Sequence, residues 1–179
     1  QATNKGINIW VSNSEMENGH VTEPVIQDVL NGLTENTPQG SLFPDQGIVE
    51  IEHSVFGMPP DIDDNGTVEF LLCDIKDGWE ETGGFVGGFF YSRDQQPSAS
   101  GSNKADLMYI DTYPGIYRES NGNVTREPSS VLGTVAHEYQ HLIQYKNDPG
   151  EEDFVNEGLS EIASFLCGYG LRNPSHYLR

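Results

Sequence analysis

The sequence predicts an α+β fold with a mixed, twisted sheet. Two observations carry that expectation. Strand-like runs and a single helical pattern occupy residues 1–128, and two strong helical patterns follow together in residues 129–179, so strands and helices are segregated along the chain. At 179 residues and 35% hydrophobic content, the chain is expected to form one domain spanning 1–179 with a sizeable core.

Residues 6–11, GINIWV, alternate apolar and polar side chains at period two, as a half-buried strand does. EPVIQDVLNGL (23–33) spaces Val25, Ile26, Val29, Leu30 and Leu33 on one helical face, with Pro24 in the first turn where its missing N–H costs nothing. IVEIEHSVF (48–56) reads as a strand, MPPDIDDNG (58–66) as a turn, and TVEFLLCDI (67–75) as a strand apolar enough for the middle of a sheet. GGFVGGFFYS (83–92) is a Gly-rich strand or loop, and ADLMYIDT (105–112) a further strand. SRDQQPSASGSNK (92–104) reads as a mobile loop and YRESNGNVTREPSS (117–130) as a second polar insertion. The strongest helix follows, SSVLGTVAHEYQHLIQYK, capped by Ser129 or Ser130, and then EDFVNEGLSEIASFLCG (152–168), stopped by Gly168. Trp10, Trp79 and the aromatics of the Gly-rich stretch are expected in the core; alternatively, that stretch is an edge strand able to pair with an extended peptide.

Nine basic against 28 acidic residues give a formal charge of −19, which excludes the basic footprint a nucleic-acid partner requires and disfavours anionic membranes. So much acid reads as a solvated surface, or as an exported or salt-tolerant protein with calcium sites. No apolar run is long enough for a transmembrane segment, and no signal-like segment opens the chain at Gln1, so a mature or trimmed fragment of something longer is expected. Cys73 and Cys167 lack a C-x-x-C partner and are either one disulfide or two buried thiols.

The chemistry concentrates in HEYQH, residues 137–141. His137 and His141 are four apart, so a helix projects both imidazoles from one face, the spacing that holds one Zn²⁺. Glu138 beside them suits a general base. Catalytic zinc takes three protein ligands, and a third histidine in H-E-x-x-H-x-x-G-x-x-H is excluded because 144 is Gln and 147 is Asn. Glu157, reached after the turn-forming NDPGEED, is the expected third ligand, and Glu161, one helical turn on, is placed to accept a hydrogen bond from a ligand histidine.

His137-Glu138-x-x-His141 with Asn156-Glu157-Gly158 resembles the gluzincin metallopeptidases, and AHEYQHLIQY with VNEGLSE looks most like the hyicolysin-type and immune inhibitor A-like bacterial proteases. The specific part of the resemblance covers 131–165. It implies a zincin-like catalytic domain, secreted or cell-surface, with one catalytic zinc on His137, His141 and Glu157, acid/base work by Glu138 and support from Glu161 behind a ligand. The resemblance also implies a C-terminal subdomain forming the other wall of the cleft, expected to be missing from or separate to this chain. The aminopeptidase branch carries a Gly-x-Met-Glu-Asn stretch that this sequence lacks, which favours an endopeptidase acting on peptide or protein substrates. The alternatives are an aminopeptidase and a non-catalytic binding module with a degenerate HEYQH.

Two weaker signals complete the reading. An oxyanion donor is required, and Tyr169, His176 and Tyr177 are its late candidates. DIDDNG (61–66) matches the front of an EF-hand loop, with Asp61, Asp63 and Asn65 as candidate Ca²⁺ ligands, but position twelve is Leu72; a partial Ca²⁺ loop and a tight hairpin turn both remain.

Overall fold

The computed structural model describes residues 2–171. Along the chain run β1 (Ala2–Asn4), β2 (Ile7–Val11), α1 (Asn13–Glu17), α2 (Glu23–Thr34), α3 (Ile48–Phe56), β3 (Val68–Cys73), α4 (Trp79–Thr82), β4 (Gly88–Phe90), β5 (Leu107–Asp111), β6 (Tyr117–Ser120), β7 (Asn123–Arg126), α5 (Leu132–Asn147) and α6 (Asp153–Leu166). The fold is α+β with a mixed sheet, compatible with a zincin-like domain.

The main sheet has the order β1-β2-β3-β5-β4, with β2, β3 and β5 parallel and the two edges, β1 and β4, antiparallel to their neighbours. Period-two alternation sends Ile7, Ile9, Val68, Phe70, Leu72, Met108 and Ile110 to one face, all buried with apolar residues of α2, α3 and α5. That burial drives the layer, at about 25 cal/mol per Å² of apolar surface removed from water. The same alternation corrects the expectation for Trp10, which follows Ile9 and so points away from the core. It is 44% exposed, its indole N–H donating to Glu69 on the next strand. Trp79 sits on α4 edge-on to Phe85, with the Arg118 guanidinium 5.8 Å from its ring centre.

Residues 48–56, read as a strand, form α3. Val49, Ile51 and Val55 alternate with Glu50, Glu52 and Ser54 as in a strand, but Ile48, Ile51 and Glu52 share one helical face and all are buried there, α3 packing on α2 and α5. Tertiary burial outweighs the β preference of branched residues, a matter of less than 1 kcal/mol each. The segment 58–66 therefore joins a helix to a strand and is no hairpin turn. The polar insertion after 117 is a two-stranded hairpin instead, turned by Asn121 and Gly122, both at positive φ (53° and 75°) as a type I′ turn requires. In the 92–104 loop, buried Asp94 accepts the Asn103 N–H and the Tyr109 hydroxyl, each at 2.7 Å, pinning a segment expected to be mobile.

Of the Gly-rich stretch only residues 88–90 are strand. Gly88 is required there: a Cβ would lie 2.7 Å from the Tyr109 carbonyl and 3.2 Å from Thr134 Cγ2, so β4 could not lie between β5 and α5. The α5 helix enters through a 3-10 turn, Pro128–Val131, and Ser130 does not cap it. Its hydroxyl donates to the Gly115 carbonyl and, at 2.7 Å, to that of Glu127. The expected stop of α6 holds. Gly168 is left-handed (φ 83°), and the Gly168 and Tyr169 N–H groups close back on the Phe165 and Ser164 carbonyls at 3.0 Å each, a Schellman motif. Cys73 and Cys167 are both free thiols.

One buried group makes a stability test. Glu52 is fully buried in α3, and neither carboxyl oxygen has a hydrogen-bond partner among the described residues. Burial pushes its pKa well above the usual carboxylate range. Below the unfolded-state value both states are protonated and nothing is lost. As pH rises past it the unfolded chain ionises first, and the fold loses about 1.4 kcal/mol per unit until the folded-state pKa is reached. Glu52→Met, equally long and apolar, is expected to stabilise the chain at pH 7 by about 1–3 kcal/mol. The gain should shrink toward pH 4 in denaturant unfolding; a gain independent of pH would refute the buried-acid explanation.

Candidate metal centre

The two longest helices, α5 and α6, are joined by a turn at 148–152 in which Asp148 accepts the Gly150 N–H at 3.0 Å through its side chain and the Glu151 N–H at 3.3 Å through its carbonyl. That reversal lays α6 along the face of α5 that carries the histidines. The α6 face turned inward is made of Asn156, Glu157, Ser160, Glu161 and Ser164, at spacings of three and four. Three of its large apolar residues, Phe154, Ile162 and Phe165, point outward and are exposed. A small, polar inner stripe lets the helices approach closely and supplies hydrogen-bonding groups to buried imidazoles.

His137 is 3% exposed and edge-on to His141, ring centres 4.8 Å apart. Glu157 lies across both rings. Its Oε2 is 3.3 Å from His137 Nε2 and its Oε1 is 3.6 Å from His141 Nε2. The opposite ring nitrogens face groups behind them. His137 Nδ1 lies 3.3 Å from Glu161 Oε1, and His141 Nδ1 lies 3.0 Å from Asn156 Oδ1 and 3.1 Å from Ser160 Oγ. The Ser160 hydroxyl is also 2.6 Å from buried Gln140 Oε1, tying it to α5. Glu138 lies on the sheet side, where its Oε2 accepts the Phe90 N–H of β4 at 3.1 Å. His137, Glu138, His141, Asn156 and Glu157 line a cleft of about 480 Å³ bounded by Phe90, Tyr91 and Tyr145.

The donor set fits a zinc ion. Tetrahedral bonds of about 2.1 Å place neighbouring donor atoms about 3.4 Å apart, and the two imidazole–carboxylate separations of 3.3 and 3.6 Å bracket that value. Donor atoms of His137, Glu138 and His141 also fall within 4.8 Å of one another. Of the three carboxylates near the imidazoles, Glu157 faces both Nε2 atoms and its buried Oε2 accepts no hydrogen bond among the described residues, whereas Glu161 lies behind His137 and Glu138 Oε2 is engaged by Phe90.

Over 139 residues, 78% of this chain, the sequence is 34% identical to the neutral metalloprotease ShpI of Staphylococcus hyicus. This likeness supports a metalloprotease family for the chain. The match covers 27% of that relative, so the chain spans about a quarter of its length. No protein-family model matches the sequence.

The structure thus brings together His137, Glu138, His141, Glu157 and Glu161. Tyr169 stands apart: it packs against the core beside Gly133, whose Cβ would lie 3.0 Å from its own, and is not among the residues lining the cleft. His176 and Tyr177 lie outside the described residues. Sequence reading passed over three groups. Ser160 was legible as the next member of the inner stripe, and Tyr145, one turn beyond His141 on its own face, was legible from the same spacing. The Phe90 N–H had no signal, because a backbone donor on an edge strand is placed by sheet order alone. No described helix is long and apolar enough to cross a membrane.

Proposed function

We propose that this chain is the catalytic part of a gluzincin-type zinc endopeptidase, with His137, His141 and Glu157 as ligands. The observation that carries the reading is the arrangement of one carboxylate facing both Nε2 atoms while both Nδ1 atoms are held from behind. Zn²⁺ in that site supplies Lewis acidity and lowers the pKa of a water toward about 7. Glu138 takes the proton of the attacking water and returns it to the leaving amine. The Phe90 N–H holds Glu138 at the cleft wall beside β4. Glu161 fixes the ring of His137, while Asn156 and Ser160 fix that of His141. As an edge strand, β4 offers its outer side to an extended peptide, which supports cleavage within chains over removal of terminal residues. The outward Phe154, Ile162 and Phe165 of α6 support a further subdomain packing there. Secretion fits the strong negative charge and the protease reading.

Metal analysis of the purified chain is expected to give one zinc per chain, removable by chelator. An internally quenched peptide should be cleaved faster than an aminoacyl reporter. Dominant release of free N-terminal residues would turn the reading to an aminopeptidase, and stoichiometric absence of zinc after reconstitution would leave a binding module.

A further inference from the structure

The segment linking α3 to β3 reads Asp61-Ile62-Asp63-Asp64-Asn65-Gly66 and is tightly wound, with Asp64 and Gly66 left-handed at φ 56° and 69°. Asp61 Oδ1 accepts the Gly66 N–H at 3.1 Å. Asn65, expected as a ligand, serves the turn instead. Its Oδ1 accepts the Thr67 N–H and hydroxyl, each at 2.6 Å, and its amide donates to Asp63 Oδ2 at 2.9 Å. The third carboxylate comes from Asp106, immediately before β5. One carboxylate oxygen from each of Asp61, Asp63 and Asp106 lies within 4.8 Å of the others.

Asp106 makes this more than an acidic cluster. It is 1% exposed, its Oδ2 accepts the Ile62 N–H at 3.0 Å, and its Oδ1 is buried with no hydrogen-bond partner among the described residues. No Lys or Arg forms an ion pair with any of the three among the described residues. A buried carboxylate oxygen beside two further carboxylates, with no counter-charge, is a costly arrangement unless a cation joins them. Calcium bonds of about 2.4 Å span about 4.8 Å across the ion, and its preference for six to eight hard oxygens suits a half-open set that water completes.

We propose that Asp61, Asp63 and Asp106 bind one Ca²⁺. The ion joins the segment after α3 to the start of β5, where the Asp106 carbonyl accepts the Glu69 N–H of β3 at 2.8 Å. Met108, two residues on, pairs with Phe90, whose N–H holds Glu138. The ion therefore braces the end of the sheet that carries one wall of the cleft. The site does not rest on the protease reading, since none of its ligands is shared with it.

Calcium titrated into the zinc-saturated full chain should bind at one ion per chain by calorimetry. At about 100 times its Kd it should raise the Tm by roughly 5–10 °C. Asp63→Asn, an exposed change that leaves the fold intact, is expected to weaken Ca²⁺ binding at least about tenfold and to remove most of the shift, as is Asp61→Asn. No binding heat and no shift in the wild type would overturn the proposal, as would both variants binding calcium like the wild type. Neither readout is hydrolysis, so failure here is distinguishable from failure of the zinc-site reading.

Discussion

Glu138→Gln is expected to lower kcat for peptide hydrolysis by about 10²–10⁴-fold or more while zinc remains bound at one per chain. Glutamine keeps the length and shape of the side chain and an oxygen for the Phe90 N–H, which donates to Glu138 Oε2 at 3.1 Å, so the cleft wall should not move. What it removes is the proton acceptor. The histidines and Glu157 are untouched, so metal content separates lost chemistry from a lost site. Hydrolysis within a few-fold of wild type, at full zinc occupancy, would remove Glu138 from the mechanism.

The second large effect separates the roles expected of two glutamates one helical turn apart. Glu157→Ala should release the metal, because this carboxylate faces both imidazoles at 3.3 and 3.6 Å. Glu161→Ala should keep it, with affinity lowered about 10- to 100-fold, because Glu161 stands behind His137, 3.3 Å from the far ring nitrogen. Competition against a chromogenic chelator measures both. Equal losses in the two variants, or the larger loss at Glu161, would reverse the assignment. Circular dichroism of both variants guards against a folding artefact, which matters most for Glu161, only 6% exposed.

Where apolar spacing was regular, the sequence was a sufficient guide. The α2 helix, the buried strands and the Gly168 stop are set by periodicity or by a single residue's conformational freedom, both local properties. At α3 the local pattern satisfied two periods at once, and only packing on α2 and α5 selected the helix. The β6–β7 hairpin was written as Asn121-Gly122 between alternating residues, a signal masked by the polarity of the strands around it.

The metal centre divides in the same way. That His137 and His141 share a face, and that Glu157 and Glu161 share another, follows from 3.6 residues per turn and needs no fold. Which glutamate faces both imidazoles, which hydroxyl lies behind His141, and that Phe90 presents its N–H to Glu138 depend on how α6 lies against α5 and on which strand forms the sheet edge. The loop carboxylates repeat the lesson. Asp61 and Asp63 are two residues apart in sequence, whereas Asp106 joins them only because β3 and β5 are neighbours in the sheet. Helix periodicity acts over a turn or two of chain, so the sequence alone determined the faces; the contacts between faces are long-range, and only the tertiary structure decided them.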